Sequence, residues 1–99
     1  AYCREIIGTL EEHDQRYKMD LVNILFVYFE ENGNAVKTAH RLLVHRNTLD
    51  YRLKQIEDVS GNKLANSYDR LMLQLAVVIA RQVHAVEAVP DEAAYRRTS

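Results

Sequence analysis

Apolar residues recur at three- and four-residue intervals in five separate stretches, the spacing of one buried face on an α-helix. The first stretch runs from about Arg4 to Arg16, with Ile6, Ile7 and Leu10 as its stripe and Gly8 weakening it. The second opens at Asp20, placed as an N-cap, and carries Leu21, Ile24, Leu25, Tyr28 and Phe29. It stops at Asn32-Gly33, because glycine accepts the left-handed conformation that ends a helix. Asn34 then caps a short third helix, Ala35 to Leu42, whose inner face is expected to be Ala35, Ala39, Leu42 and Leu43. After the brief connection Val44-His45, with His45 as N-cap, a fourth helix runs from about Arg46 to Val59 and ends at Ser60-Gly61. The fifth starts at Asn66 or Ser67, is favoured by Asp69 in its first turn, and reaches about Val86. Pro90 prevents continuation, and the polar residues 91–99 read as a disordered tail. The pattern predicts an all-α, five-helix bundle.

Two of these helices are unusual. The segment Leu71 to Ala80 is apolar on nearly every side, broken only by Gln74, so it must be covered on more than one face. Leu71, Leu75 and Val78 are expected to point inward, leaving Leu73, Val77 or Ala80 for association with a second copy or another domain. The third and fourth helices are joined by too short a turn to lie antiparallel, so they must cross steeply. Ala39 supplies the small residue at the crossing and Val44 an apolar plug in the turn. On the fourth helix Leu53 and Ile56 fall within about 40° of Leu49 at 100° per residue. This is the helix-turn-helix pattern, whose second helix lies in the major groove of DNA.

Composition narrows the function classes. The 99 residues are 47% hydrophobic and 27% charged, the balance of an ordinary globular domain. Three glycines and one proline are too few for the turns of a β-sandwich. The single cysteine, Cys3, excludes an internal disulfide and a cysteine-based zinc site, and fits a reducing compartment. The longest apolar run is well short of the roughly 18 residues of a membrane helix. No glycine-rich phosphate loop, paired carboxylates or nucleophile elbow is present, so no enzyme is expected. His13, His40, His45 and His84 lack metal-binding spacing, so neither metal nor cofactor is expected.

The net charge of −1 argues against a nucleic-acid binder, but its distribution argues for one. Residues 1–32 hold three cations against seven carboxylates, whereas residues 33–56 hold five cations against Asp50 alone. The basic block coincides with the helix-turn-helix. Opposite the apolar stripe of the fourth helix lie Asn47, Tyr51, Lys54 and Asp58. Asn47 offers an amide suited to adenine, and Lys54 a charge for guanine or phosphate. Tyr51 either reaches the bases or packs its ring on the protein with its hydroxyl toward a phosphate. Arg46 and Arg52 flank the stripe where a helix in the groove meets the sugar-phosphate walls, and Thr48 offers a hydroxyl. Lys37 and Arg41 on the third helix would meet the backbone as that helix crosses it. Asp50 would accept from cytosine or tether an arginine.

The run His45-Arg46-Asn47-Thr48-Leu49-Asp50-Tyr51-Arg52-Leu53 resembles the H-R-N-T-L-x-Y-R-L signature of PucR-type bacterial transcriptional regulators, a group that includes the CdaR-like sugar-diacid regulators. The resemblance extends back through residues 29–34 and 38–42 and forward through 56–61 and the 70–80 helix, so it covers about residues 5–85. It implies a connector helix from a preceding region at 1–18, a DNA-binding domain at 19–86 and a tail at 87–99. It also implies a cytoplasmic protein acting as a homodimer or higher oligomer on double-stranded DNA, with an effector bound by a domain outside this chain. The first residue, Ala1, is not Met, which fits a piece of a longer chain. Two departures stand out. Leu43 occupies the turn position usually held by glycine, so the turn is either strained or differently shaped, and Asp50 is less basic than is common at its place.

The sequence therefore assigns Lys37, Arg41, Arg46, Thr48 and Arg52 to phosphate and Asn47, Tyr51 and Lys54 to bases. Two other readings fit the composition: a protein-interaction or oligomerisation bundle that meets an acidic surface, and a Fis-like architectural protein of the same fold that bends DNA.

Overall fold

The computed structural model describes residues 2–87, with side chains from Arg4 to Gln82. The helices are α1 (Tyr2–Tyr17), α2 (Leu21–Glu30), α3 (Ala35–Leu42), α4 (Arg46–Ser60) and α5 (Ser67–Glu87), and the described residues include no strand. The fold is all-α. The tail expected at 87–99 lies outside the described residues apart from Glu87, as do the side chains of Cys3 and His84.

One core joins four of the helices. Ile6, Ile7 and Leu10 of α1 meet Leu73, Ala76, Val77 and Ala80 of α5, Leu21 and Leu25 of α2, and Ile56 of α4. The helix expected to be a connector thus contributes directly to the core. On α5 the expected facing is reversed. Leu73, Val77 and Ala80 are buried, while Leu71, Leu75 and Val78 are 49%, 41% and 43% exposed. A helix that is apolar all round carries no period to select its inner side. Here Ala76 and Ala80 let a neighbouring helix approach closely, and the face they share with Leu73 and Val77 is the one covered.

Three helices end in the same way. After α1, α2 and α3 the chain turns through a left-handed residue (Lys18 at φ 54°, Asn32 at 56°, Leu43 at 59°). In each case the next amide donates to the carbonyl five residues back: Met19 to Asp14, Gly33 to Tyr28 and Val44 to Ala39, at 2.9–3.0 Å. This six-residue closure satisfies carbonyls that a helix end leaves open. Helix starts are capped from two sources. Asn34 accepts from the Lys37 amide at 2.9 Å, and Asn66 accepts from the Asp69 amide at 3.0 Å, which fixes Asn66 as the α5 cap. Asp20, expected to cap α2, makes no such bond. The Asp14 carboxylate of α1 does so instead, accepting from Leu21 N at 2.9 Å and Val22 N at 3.1 Å.

Leu43 answers the question its position raises: the turn is left-handed and strained. Its side chain, expected inside, is 90% exposed, because the left-handed backbone swings it away from the α3 face. Val44, expected as a plug, is 39% exposed. A left-handed L-residue costs about 1–2 kcal/mol, more than the roughly 0.5–1 kcal/mol of unfolded-chain entropy that glycine adds. Leu43→Gly is therefore expected to stabilise the domain by up to about 1 kcal/mol, raising Tm by a few degrees in a thermal melt. A lower Tm would mean that the leucine side chain holds the turn.

Candidate nucleic-acid interface

The position of α4 follows from its apolar stripe. Leu49 and Ile56 are completely buried and Leu53 is half-buried, so the helix is fixed by one side for two turns. Where α3 crosses, Ala39 is buried as expected, and so is Thr38, which the sequence reading missed. Thr38 tolerates burial because its hydroxyl donates to the Asn34 carbonyl at 2.7 Å, a bond that its spacing from the cap could have suggested. His45 is the N-cap of α4, with Nδ1 accepting from the Asn47 amide at 3.1 Å.

With its inner side held, α4 turns Asn47, Tyr51, Lys54 and Asp58 outward, and all four are exposed. Arg46, Thr48 and Asp50 are exposed beside them at the first turn. The fold therefore brings the three base-reading candidates onto one open strip of about two turns, the dimension that a major groove admits.

The cations are less free than the sequence suggests. Arg41 is clamped by two carboxylates at the end of α2, with Nη2 to Glu30 at 2.6 Å and Nη1 to Glu31 at 3.1 Å. Hydrogen bonds first to Glu30 and then to Glu31 raise its pKa above the ordinary arginine value. Arg46 Nε donates to Asp50 at 3.1 Å, one of the two roles foreseen for that aspartate. Lys54 donates to Asp58 at 3.1 Å, and this bond raises its pKa above the usual lysine value. Arg52 is half-buried beneath α4, where Nη1 donates to Gln55 at 3.1 Å and approaches Met19 Sδ at 3.7 Å. Together with Thr48, Lys18, Leu42 and Val44 it lines a cleft of about 310 Å³ between α4 and the α1–α2 turn. Lys37 is exposed, with no carboxylate partner among the described residues. The exposed ion pairs are weak in water, so an anion of higher charge density competes with them readily.

No group of three or more histidine, cysteine or acidic side chains suited to a metal ion occurs among the described residues, and no described helix is long and apolar enough to cross a membrane.

Comparison with known proteins places this geometry. The profile of the PucR C-terminal helix-turn-helix domain matches residues 21–79. The carbohydrate diacid regulator of Escherichia coli is 42% identical over 53 residues, which are 54% of this chain and 14% of the regulator. The purine catabolism regulatory protein of Bacillus subtilis is 36% identical over 78 residues, 77% of this chain and 15% of its own length. The proline-responsive transcriptional activator PutR of the same organism is 27% identical over 81 residues, covering 82% and 20%. The chain thus spans a fifth or less of these relatives. No solved structure matches it.

Because the first turn of α4 depends on the His45 cap, His45→Ala is expected to cost about 1 kcal/mol. Thermal melts should show His45→Asp recovering the loss, since a carboxylate oxygen accepts the same bond. An alanine variant as stable as the original would exclude the cap.

Proposed function

The chain belongs to the PucR C-terminal helix-turn-helix domain family, and we propose that it is the part of a bacterial transcriptional regulator that engages double-stranded DNA. The observation that supports this reading most strongly is the open strip Asn47–Tyr51–Lys54 on a helix anchored by Leu49 and Ile56. In this reading α4 enters the major groove, Asn47 and Lys54 read base edges, and Tyr51 lies against a base or a phosphate. Lys37, Arg46 and Thr48 hold the phosphates. Arg41 and Arg52 complete the cationic rim with a smaller share, because Arg41 is divided between two glutamates and Arg52 is drawn under the helix.

The regulator acts in the cytoplasm as a homodimer or higher oligomer, and its effector binds a region outside this chain. The reading assigns no catalysis. The carboxylates beside the cations favour a sequence reader over a DNA bender, since they weaken attraction to arbitrary duplexes while leaving matched base contacts intact.

Fluorescence anisotropy with duplexes selected from a random pool tests the assignment. Arg46→Ala should weaken binding to every duplex and lower the slope of log K against log salt by about one counterion. Asn47→Ala should instead relax preference at one base pair, losing about 1–3 kcal/mol of discrimination there. Unchanged titrations for both variants would remove α4 from the contact. Removing a repulsive charge should act in the opposite direction. Glu31→Gln frees part of Arg41, so binding should tighten and the salt slope steepen by up to about one. Weaker binding would show that the clamp serves the complex.

A further inference from the structure

The α1–α2 turn sits beside α4, and the cleft of about 310 Å³ between them is lined by two cations, Lys18 and Arg52. Arg41, Arg46 and Lys54 are each held by a carboxylate, but neither Lys18 nor Arg52 forms an ion pair among the described residues. Lys18 is exposed, and the half-buried Arg52 has only the neutral Gln55 amide and the Met19 thioether as hydrogen-bond partners. Thr48 adds an exposed hydroxyl, and Leu42 and Leu49 an apolar wall. The one carboxylate lining the cleft, Asp20, pairs with neither cation and caps no amide of α2. The cleft therefore carries a net positive charge.

Resting on the reading that α4 enters the major groove, we propose that this cleft binds one backbone phosphate of the duplex, with Lys18 as the principal contact. The rotation of α4 gives the reason. At 100° per residue, Thr48 and Arg52 lie about 90–130° to one side of the Asn47–Tyr51–Lys54 strip, and Arg46 about 110° to the other. A helix in the groove faces a sugar-phosphate strand on each flank, so Arg46 serves one strand and the Thr48–Arg52 flank the other. The second flank is the one that the α1–α2 turn adjoins, which sets Lys18 at the second strand. Lys18 supplies the exposed charge, Thr48 the hydroxyl and Arg52 a fixed charge behind them, the kinds of group that hold phosphates.

The turn that carries Lys18 is firmly held. Met19 N donates to the Asp14 carbonyl at 3.0 Å, and the Asp14 carboxylate accepts from the Leu21 and Val22 amides. Met19 then reaches α4, with its Sδ 3.7 Å from Arg52 Nη1 and 4.0 Å from Gln55 Nε2. Lys18 itself is left-handed at φ 54°, a backbone that glycine occupies with less strain. Folding alone favours glycine there, and the phosphate favours lysine.

Fluorescence anisotropy of the chain with selected duplexes, repeated over a series of salt concentrations, tests the site. Lys18→Gly removes the charge and keeps the turn. Binding at about 0.1 M salt should weaken by up to about tenfold, and the slope of log K against log salt should fall by about one. The ranking of duplex sequences should stay the same, because a phosphate carries no base identity. Lys18→Arg should retain wild-type binding, and Asp20→Asn, which removes the opposing charge, should tighten it. Combined with Arg52→Gln, Lys18→Gly should lose less than the two single losses added, since both act on one phosphate. Thermal melts establish that each variant folds. A Lys18→Gly chain with the wild-type slope, an altered sequence ranking, weaker binding by Asp20→Asn or additive losses in the double variant overturns the proposal. If Arg46→Ala still lowers the slope in that case, only this site is lost. A wild-type chain that binds no selected duplex refutes the DNA reading and this site together.

Discussion

The burial of Leu49 and Ile56 is the constraint on which the arrangement depends. These two residues lie seven apart, two helical turns, and fix both the rotation of α4 about its axis and its depth against the bundle. Rotation decides which side chains face out. Had the stripe been set one residue along, Asn47 and Lys54 would be displaced by about 100° and replaced by neighbours of different chemistry. The inner face of α4 thereby determines the chemistry of its outer face. The buried Ala39–Thr38 edge of α3 and the His45 cap hold the other end of the same helix in register.

Charge is then distributed over this frame in a graded manner. The acidic surface belongs to α1 and the end of α2, and the basic surface to α3 and the first turns of α4. At their boundary Glu30 and Glu31 hold Arg41, and along α4 Asp50 and Asp58 each hold a cation. Each pair is exposed and contributes little to folding. Its larger consequence is electrostatic: an interface whose cations carry adjacent carboxylates attracts polyanions in general less strongly. In the proposed reading, discrimination then falls more heavily on the hydrogen-bonding groups between the charges.

Much of this was legible in the chain. Asn34, Gly61 and the apolar period located the helix boundaries within a residue or two, because capping is local chemistry that acts over three or four positions. The outward strip of α4 was legible for the same reason, since a clear stripe on one side defines the other. Four features were not. The α2 cap comes from Asp14, a contact created by the turn that folds α1 onto α2 and therefore invisible beside the nearer Asp20 in the sequence. The facing of α5 was reversed because a helix apolar on every side leaves the selection to its partners, here α1 and α2. Leu43 stands out in the sequence, but its exposure follows from the left-handed backbone and not from its hydrophobicity. The pairing of Arg41 with α2 was likewise hidden, because a charge block read along the chain does not reveal carboxylates folded alongside it.

The central claim is that the outer side of α4 enters the duplex. A ¹⁵N NMR titration of the chain with a duplex recovered by selection tests it most directly, because every amide reports at once. The account predicts shifts concentrated at Asn47, Tyr51 and Lys54 and at the first turn of α4, with the acidic face of α1 unmoved. Shifts confined to α1 or α5 with α4 silent would contradict it.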